Sequence, residues 1–359
     1  MKTQLDMTEI NKIPKNGYNV VSLFSGCGGS SLGYKLAGFD VKLALEFIPT
    51  AAEVYRLNHP NTIVLEKDIR DTTGNEILEA IGLDTGELDI LDGSPPCSDF
   101  SINGKREAGW GKVKNYSTTK QRVDDLFFEY ARLVKEIKPK VIVAENTKGI
   151  TLGKAGKVLY DVVETIRNSG YIVDYRLLDA EYFNVPQKRE RLFIIGVRED
   201  LGIQPSFPMV SLPITGKKVK LISTREAIED LIDKGTDQVE VSERVEQMKK
   251  YFHAGCTAND VKRIAYENNL KVFEQGFRRD KWEEPYYTIR QHHTRPFHPK
   301  VDRILSIDEA KRIQTFPDDF ILPHTPIQNW ERIGRAVPPN LMKAIAENVK
   351  INILDKIKR

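Results

Sequence analysis

The sequence has few cysteines, little net charge and no long apolar run. Three cysteines in 359 residues, an odd number, do not indicate a disulfide framework and favour a reducing compartment. The 54 Lys and Arg against 51 Asp and Glu leave a formal charge of +3, so any basic surface has to be local. The N-terminus lacks the apolar core of a signal peptide, and no run approaches the roughly 18 apolar residues of a membrane span. These absences exclude the secreted and membrane classes and predict a cytoplasmic protein with no membrane partner.

Short apolar runs alternate with longer amphipathic stretches over the first 200 residues, which is typical of βα units in a mostly parallel sheet. Strands are predicted over 20–24, 41–45, 88–91, 141–144 and 192–196. The clearest helix spans 124–137, where Pro139 marks its end, and a final amphipathic helix spans 339–353. The predicted fold class is α/β, a doubly wound, mostly parallel sheet with a second, smaller domain.

A glycine-rich turn follows the first predicted strand and directly precedes a helical pattern. It reads Phe-Ser-Gly-Cys-Gly-Gly over 24–29, and such glycines let the backbone turn sharply and approach a ligand at a helix N-terminus. The spacing is not G-x-G-x-x-G, so an ordinary strand-to-helix turn is the alternative. Glu46 ends the second strand, where a carboxylate binds the ribose hydroxyls of an adenosine-containing cofactor. Asp68 and Ile69 would add an acceptor and an apolar wall for the adenine.

Two prolines, Pro95 and Pro96, fix the backbone immediately before Cys97 at the carboxyl end of a predicted strand. Such a rigid mount suits a nucleophile, whereas the alternative is a small buried cysteine in a proline turn. Cys27 and Cys256 take that second interpretation. No cysteine and histidine cluster with the spacing of a zinc site is present.

Glu145 closes the strand over 141–144 and is either a helix cap or a positioned acid, which the residues alone leave open. Arg189 and Arg191 alternate along a predicted extended segment, so their side chains would point the same way. A solvated run of charges is the alternative for these arginines.

In this order, these strings resemble the DNA cytosine-5 methyltransferase family of the prokaryotic restriction-modification type. The shared motifs are Phe-x-Gly-x-Gly-Gly, Pro-Cys with Phe-Ser three residues on, Glu-Asn, Gln-x-Arg-x-Arg, Gln-Thr-Phe-Pro and a terminal Gly-x-x-Val-Pro-Pro. Residues 200–285 lack such a match, and the family keeps its target recognition region there. The resemblance implies an S-adenosylmethionine-dependent DNA (cytosine-5-)-methyltransferase.

The resemblance also implies roles for individual residues. The Cys97 thiolate would add to C6 of cytosine, Glu145 would contact N3 and the exocyclic amine, Arg191 would hold O2, and Arg189 would support the pocket or a phosphate. The implied S-adenosylmethionine site consists of Phe24, Gly26, Gly28, Gly29, Glu46, Asp68, Ile69, Pro95, Leu126, Ala336 and Val337. Because C6 is attacked from above the ring plane, the target base has to leave the duplex stack.

Residues 99–122 carry six Lys and Arg against two acidic residues. We interpret this segment as a mobile basic loop that closes over DNA, with an ordinary surface loop as the alternative. The predicted contacts to double-stranded DNA are Ser98, Ser101, Lys105, Arg106, Lys112, Lys114, Arg290 and Arg295. We expect a monomer, with a cognate restriction endonuclease as its functional counterpart.

The predicted domains follow from a change of rhythm near residue 200 and from the resemblance. Residues 1–199 would form the catalytic and cofactor-binding domain, and 200–325 the target recognition domain. Residues 326–359 would return to the catalytic domain, because the family places the terminal Gly-x-x-Val-Pro-Pro motif there. Arg335 stands where many members carry Asn, and Thr147 where Val is usual.

Three other functions are alternatives to this one. A nicotinamide-dependent oxidoreductase would share the βα opening but would not explain Cys97 together with Glu145 and the arginines. A transfer-RNA cytosine-5 methyltransferase shares the catalytic core, although its Cys-Phe-Thr signature is missing around Cys256. A catalytically silent DNA-binding subunit would have no need of Cys97, Glu145 and Arg191 together.

Overall fold

The computed structural model describes most of the chain. The described residues are 5–96, 114–116, 119–121, 125–210, 219–234, 251–253, 255–256, 258–269, 278–291 and 296–357. For 114–116 and 119–121 the description covers the backbone alone. Among these residues, no helix combines the length and the apolar character needed to cross a bilayer.

A seven-stranded sheet is the largest feature of the fold. The described strands are Asn19–Leu23 (β1), Asp40–Leu45 (β2), Ile63–Leu65 (β3), Ile90–Gly93 (β4), Lys114–Tyr116 (β5), Thr119–Gln121 (β6), Val141–Thr147 (β7), Tyr171–Asp179 (β8), Gln187–Lys188 (β9), Glu190–Arg198 (β10), Arg278–Arg279 (β11), Tyr286–Tyr287 (β12) and Pro296–Phe297 (β13). The main sheet has the order β3-β2-β1-β4-β7-β10-β8, and β10 runs antiparallel to both of its neighbours. The strands β3, β2, β1, β4 and β7 are parallel, so they end at one common edge.

Helices connect the strands as the alternating pattern predicts. The described α-helices are Met7–Asn11 (α1), Gly29–Leu36 (α2), Pro49–Asn58 (α3), Gly74–Ile81 (α4), Leu126–Ile137 (α5), Lys154–Arg167 (α6), Thr224–Ile228 (α7), Ala258–Glu267 (α8), Ile307–Ile313 (α9), Pro326–Arg335 (α10) and Pro339–Asn352 (α11). Helix α5 buries a stripe of apolar side chains that includes Leu126, Tyr130 and Leu133. It ends at Ile137, and the capping residue Lys138, with φ of 53°, stands directly before Pro139, which cannot continue a helix.

The chain divides into two compact units, each with its own core. The sheet unit comprises Ile10–Asp179, Glu190–Met209 and Leu341–Arg359, and the second unit comprises Met1–Glu9, Ala180–Arg189 and Val210–Asn340. The core of the sheet unit packs α5 and α6 against the strands. The core of the second unit gathers α7, α9 and α10 around short strands.

The α/β class predicted from the sequence is confirmed, with a mostly parallel sheet. The edge strand β8 and the antiparallel direction of β10 were not predicted. The compact units place 180–189 and 326–340 in the second unit and 341–359 in the sheet unit, because Trp330 and Ile333 belong to the core of the second unit. As functional assignments, the three predicted domains stay predictions.

Candidate functional site

The glycine-rich turn after β1 has a left-handed backbone. φ is 54° at Phe24, 55° at Gly26 and 93° at Gly28. Glycine adopts such values without steric cost, whereas Phe24 does not, and strain of this kind is concentrated at functional sites. The Ser25 N–H donates to the Leu45 carbonyl at 3.1 Å, which ties the turn to the end of β2. Helix α2 begins at Gly29, so the predicted strand, turn and helix follow one another directly.

Two buried polar side chains, those of His59 and Lys35, lie beside this turn. A Cβ atom at Gly28 would lie 2.2 Å from His59 Nε2, so no larger residue fits there. Lys35 Nζ lies 3.0 Å from His59 Nδ1. Burial lowers the pKa of Lys35 to about 8 and also lowers the pKa of His59, so the imidazole is neutral at physiological pH.

Glu46 holds the same turn from the end of β2. Its carboxylate accepts the Gly26 N–H at 2.7 Å and the Ile48 N–H at 2.7 Å, one on each oxygen. The side chain is buried, so the two bonds fix its direction. An ionised carboxylate has about four acceptor positions, so it can accept from several donors at once.

The residues predicted to hold adenine lie on the turn after β3 and at the start of α5. Asp68 accepts the Arg70 N–H at 2.9 Å and is half-buried. Ile69 and Leu126 are buried and belong to the same core cluster. These residues therefore share one unit with the glycine-rich turn and with Glu46.

Asn146, to which the sequence analysis gave no role, holds the segment that leads to Cys97. Its side-chain amide donates to the Pro95 carbonyl at 3.3 Å, and its amide oxygen accepts the Thr147 N–H at 2.9 Å. Both Asn146 and Pro95 are buried. The Glu-Asn motif was the signal that could have identified this residue.

Glu145 and Arg191 form an ion pair across β7 and β10. Arg191 Nε lies 3.0 Å from Glu145 Oε1, and the side chains are only 13% and 10% exposed. Arg191 is directly opposite Thr147 in the antiparallel register, which places it diagonally from Glu145 on the same face of the sheet. The structure thus brings together two residues that are 46 positions apart in the sequence. Partial burial strengthens their interaction relative to one in water.

Asp92 is a further buried acid at the end of β4, and sequence analysis missed it. Its carboxylate accepts the Ser22 hydroxyl at 2.9 Å and the Tyr34 hydroxyl at 3.4 Å. Burial raises the pKa of the Asp92 carboxyl to about 7, and the charge of Glu145 acts in the same direction. An acid two positions before the first residue of the Ser-Pro-Pro-Cys string was the available signal.

Arg189 lies in the second unit, where it has a structural role. Its guanidinium donates to the carbonyls of Ile289 at 2.8 Å, Gly334 at 2.9 Å and Ala336 at 3.0 Å. The side chain is 1% exposed. Of the two roles implied by the resemblance, support of the pocket and contact with a phosphate, this burial favours the first. The grouping of Arg189 with the catalytic residues stays a prediction.

The other predicted residues of the second unit lie around the same carbonyls. The Ala336 carbonyl also accepts the Gln314 side-chain amide at 2.7 Å, and Val337 is buried. Arg335 pairs with Glu331 on its own helix at 2.6 Å. The Arg290 guanidinium lies 5.7 Å from the centre of the Tyr287 ring. The cofactor contacts of Ala336 and Val337 and the DNA contact of Arg290 stay predictions.

Several predicted site residues lie outside the described part of the chain. They are Cys97, Ser98, Ser101, Lys105, Arg106, Lys112 and Arg295. Lys114 begins β5, of which only the backbone is described.

Comparison with known proteins agrees with the motifs. The family model for C-5 cytosine-specific DNA methylase matches residues 18–351. The Type II methyltransferase M.PspPI of Psychrobacter is 35% identical over 94% of this chain and 80% of its own length. The Type II methyltransferase M.Eco47II of Escherichia coli is 33% identical over 97% of this chain and 82% of its own length.

Solved structures share the fold. An E. coli prophage protein described as a DNA modification methyltransferase superposes with a TM-score of 0.70 at 23% identity, covering 94% of this chain and all of that one. Spodoptera frugiperda DNMT2 superposes with a TM-score of 0.62 at 18% identity, covering 93% of this chain and 99% of that one. The family match spans most of the chain, so this protein belongs to the C-5 cytosine-specific DNA methylases, as its motifs predicted.

Proposed function

We propose that this protein transfers a methyl group from S-adenosylmethionine to C5 of a cytosine in a short, specific sequence of double-stranded DNA. The observation that carries the proposal is the ion pair of Glu145 and Arg191 at the edge of the sheet where Asn146 holds Pro95. Glu145 lies on β7, the strand next to the one that leads to Cys97, and Arg191 lies on β10, the next strand beyond β7. The family supports the same chemistry.

The residues of the sheet unit fit the proposed cofactor. S-adenosylmethionine supplies an electrophilic methyl group. Glu46 would bind its ribose hydroxyls, and Asp68 would accept from the adenine amino group beside the apolar wall of Ile69. The left-handed turn from Phe24 to Gly28 would let the backbone approach the ligand, since no atom of the described residues beyond its chain neighbours lies within 4 Å of a Cβ built at Gly26.

The base chemistry needs a nucleophile because C5 of cytosine is itself unreactive. The Cys97 thiolate adds to C6 of a flipped-out base, and the electron pair of the C5–C6 double bond makes C5 nucleophilic. Glu145 stabilises the adduct at N3 and the exocyclic amine, while Arg191 holds O2. After methyl transfer, loss of the C5 proton and expulsion of the thiolate restore the ring.

Double-stranded DNA is the proposed partner, and a restriction endonuclease acting on the same sequence is its proposed functional counterpart. The basic excess at 99–122 would neutralise phosphates. The relatives named above are Type II methyltransferases, which supports this pairing. We propose that the protein acts as a cytoplasmic monomer.

The test is expression in a bacterium that lacks cytosine methylation, followed by sequencing that reports 5-methylcytosine at single-base resolution. We expect modified cytosines confined to one short sequence. The Cys97→Ser variant should abolish them, because a hydroxyl is far less ionised than a thiol at neutral pH. Binding of S-adenosylmethionine by Cys97→Ser, measured by calorimetry, should persist.

Three outcomes would contradict parts of the proposal. An unmodified genome with folded wild-type protein would favour an RNA substrate or a silent DNA-binding subunit, and cellular RNA would then be sequenced. Full activity of Cys97→Ser would remove the covalent step. A duplex with 5-fluorocytosine in the target should trap a stable adduct, since fluorine cannot leave as a proton does. If no adduct forms on a sequence that is otherwise methylated, the covalent step is likewise removed.

A further inference from the structure

Arg70 joins the two segments that carry the predicted adenine residues. From the turn after β3, its guanidinium donates to both oxygens of Asp68, at 3.0 and 3.2 Å. Its other edge donates to both oxygens of Asp125, at 2.6 and 3.1 Å. Asp125 immediately precedes Leu126, the first residue of α5. One side chain therefore connects Asp68 to the start of α5.

A second arginine fastens the same turn in the opposite direction. Arg132 on α5 donates to the carbonyls of Ile69 at 2.8 Å and Thr72 at 2.9 Å. Glu136, one helical turn further on, accepts the Gly74 N–H at 2.6 Å. The backbone of the turn thus has its position set by α5 independently of Arg70.

The two arginines differ in what they bind. Besides two glutamates on its own helix, Arg132 contacts backbone carbonyls of the turn, so it holds the path of the chain, whereas Arg70 contacts the carboxylate of Asp68 itself. Asp68 also accepts the Arg70 N–H on Oδ1, at 2.9 Å. Both guanidinium bonds to Asp68 come from Nη1, whereas Nε and Nη2 bind the two oxygens of Asp125 as a bidentate pair, which adds geometric specificity as well as energy. The pair with Asp125 fixes the guanidinium, and the guanidinium together with the backbone donor restricts the orientation of the Asp68 carboxylate.

We propose that Arg70, anchored by Asp125, is a positioning residue that orients the Asp68 carboxylate toward the amino group of adenine and thereby sets the selectivity for an adenine base. This inference rests on the proposed function, since it takes Asp68 as the adenine acceptor. Arg70 does not touch the reacting atoms, so it acts on cofactor affinity and not on the rate of methyl transfer. A fixed carboxylate spends less conformational entropy on binding, which is the advantage of preorganisation.

The expected loss of cofactor affinity follows from the exposure of the three side chains in this network. The side chains of Arg70, Asp68 and Asp125 are 27%, 19% and 32% exposed, so solvent screens the network in part. We expect a loss of roughly tenfold in affinity when Arg70 is removed, in the range of a single charged hydrogen bond. An effect near a thousandfold is not expected.

The experiment compares two ligands that differ at one position of the purine. S-adenosylhomocysteine carries the amino group, and S-inosylhomocysteine carries a carbonyl oxygen in its place, which cannot donate and would be repelled by an oriented carboxylate. Dissociation constants for both are measured by calorimetry on the full chain, for wild type, Arg70→Met and Asp125→Asn. The matched control is Arg56→Met, which breaks an exposed pair with Glu66 at 2.8 Å.

We expect wild type and Arg56→Met to prefer the adenosyl ligand to the same degree. Arg70→Met should lose roughly tenfold in adenosyl affinity and little in inosyl affinity, so the preference collapses. Asp125→Asn should move the preference in the same direction by roughly threefold, because Arg70 loses its anchor. With saturating cofactor, the turnover of Arg70→Met should stay within about twofold of wild type.

Other results would overturn the inference. Equal weakening of both ligands by Arg70→Met would show a structural role only, and an unchanged preference in both Arg70→Met and Asp125→Asn would show no role. If Arg70→Met does not fold, Asp125→Asn still decides. Wild-type protein that binds the adenosyl ligand without preferring it would remove Asp68 as the acceptor, whereas wild type that binds neither ligand would contradict the proposed function itself.

Discussion

The sheet unit and the second unit satisfy their buried backbone groups in different ways. In the sheet unit, long strands pair with one another. For example, β10 pairs with β8 along its whole length. In the second unit, the described strands have two residues each, and side chains take over. Arg189 binds three carbonyls there, and the Trp330 indole donates to the Arg290 carbonyl at 2.9 Å.

This difference separates the backbone contacts of Arg189 from the proposed chemical roles of Glu46 and Glu145. A strand ladder satisfies its own backbone groups, and the two proposed site residues stand at the ends of such strands. Irregular backbone needs buried polar side chains as partners, since an unsatisfied buried carbonyl is costly. Arg189 and Arg191 illustrate the contrast, because they are two residues apart and lie in different units.

The largest expected effect is that of Arg189→Met. It should lower the free energy of unfolding by about 3–5 kcal/mol, because three buried carbonyls lose their donor at once. Arg191→Met should abolish methylation while lowering the free energy of unfolding by about 1–3 kcal/mol, because the largely buried Glu145 carboxylate loses one charged partner. Urea denaturation and methylation assays on both variants measure the contrast. If both variants lose the same free energy of unfolding, the proposed difference between the two arginines is wrong.

A smaller effect is expected from Asp92→Asn in the sheet unit, and it should depend on pH. Burial raises the pKa of the folded-state carboxyl from 3.8 to about 7, so the folded chain holds its proton more tightly than the unfolded chain. The free energy of unfolding of wild type therefore falls as pH rises from about 4 to about 7, by up to about 1.4 kcal/mol per pH unit.

The Asp92→Asn variant lacks this loss because the amide does not ionise. Relative to wild type, it should gain about 2 kcal/mol in the free energy of unfolding between pH 5 and pH 7, and nothing further well above pH 7. Urea denaturation at a series of pH values checks the trend. Parallel curves for the two proteins would show that Asp92 is already ionised in the folded chain.

The smallest effect is expected from Lys148→Met. Lys148 pairs with Glu190 at 3.0 Å near the ends of β7 and β10, the same strands that hold Glu145 and Arg191, but both partners are 45% exposed. Its loss should change the free energy of unfolding by less than about 0.5 kcal/mol, because solvent screens exposed pairs. A change above about 1 kcal/mol in the free energy of unfolding, measured by urea denaturation, would show that the exposure of an ion pair does not predict its contribution to stability here.

Sequence patterns predicted the parts of the fold that depend on local periodicity. The predicted strand over 141–144 is confirmed by β7, and the predicted helix over 124–137 by α5. The edge strand β8 was missed because four consecutive residues within it are exposed, which hides the alternation of a half-buried strand. The second unit gave little periodic signal, since its described strands are too short to show one.

Motifs likewise predicted which residues form the candidate site, but not how they are held. Glu46 and Glu145 follow from the sequence because they stand at the ends of recognisable strands. Asn146, Asp92 and Arg70 do not, because their roles depend on partners that no local pattern reveals. The contact between Asp125 and Arg70, for example, joins residues 55 positions apart.

The sequence by itself determined the fold class, the family and the edge of the sheet where the site lies, because hydrophobic periodicity and short motifs are local properties of the chain. Only the tertiary structure decided that Arg189 supports the backbone while Arg191 faces Glu145, and that Asp92 is buried enough to hold a proton near neutral pH. Those properties come from burial and from distant partners. Desolvation and hydrogen bonding depend on what surrounds a group in space, which the order of residues does not state.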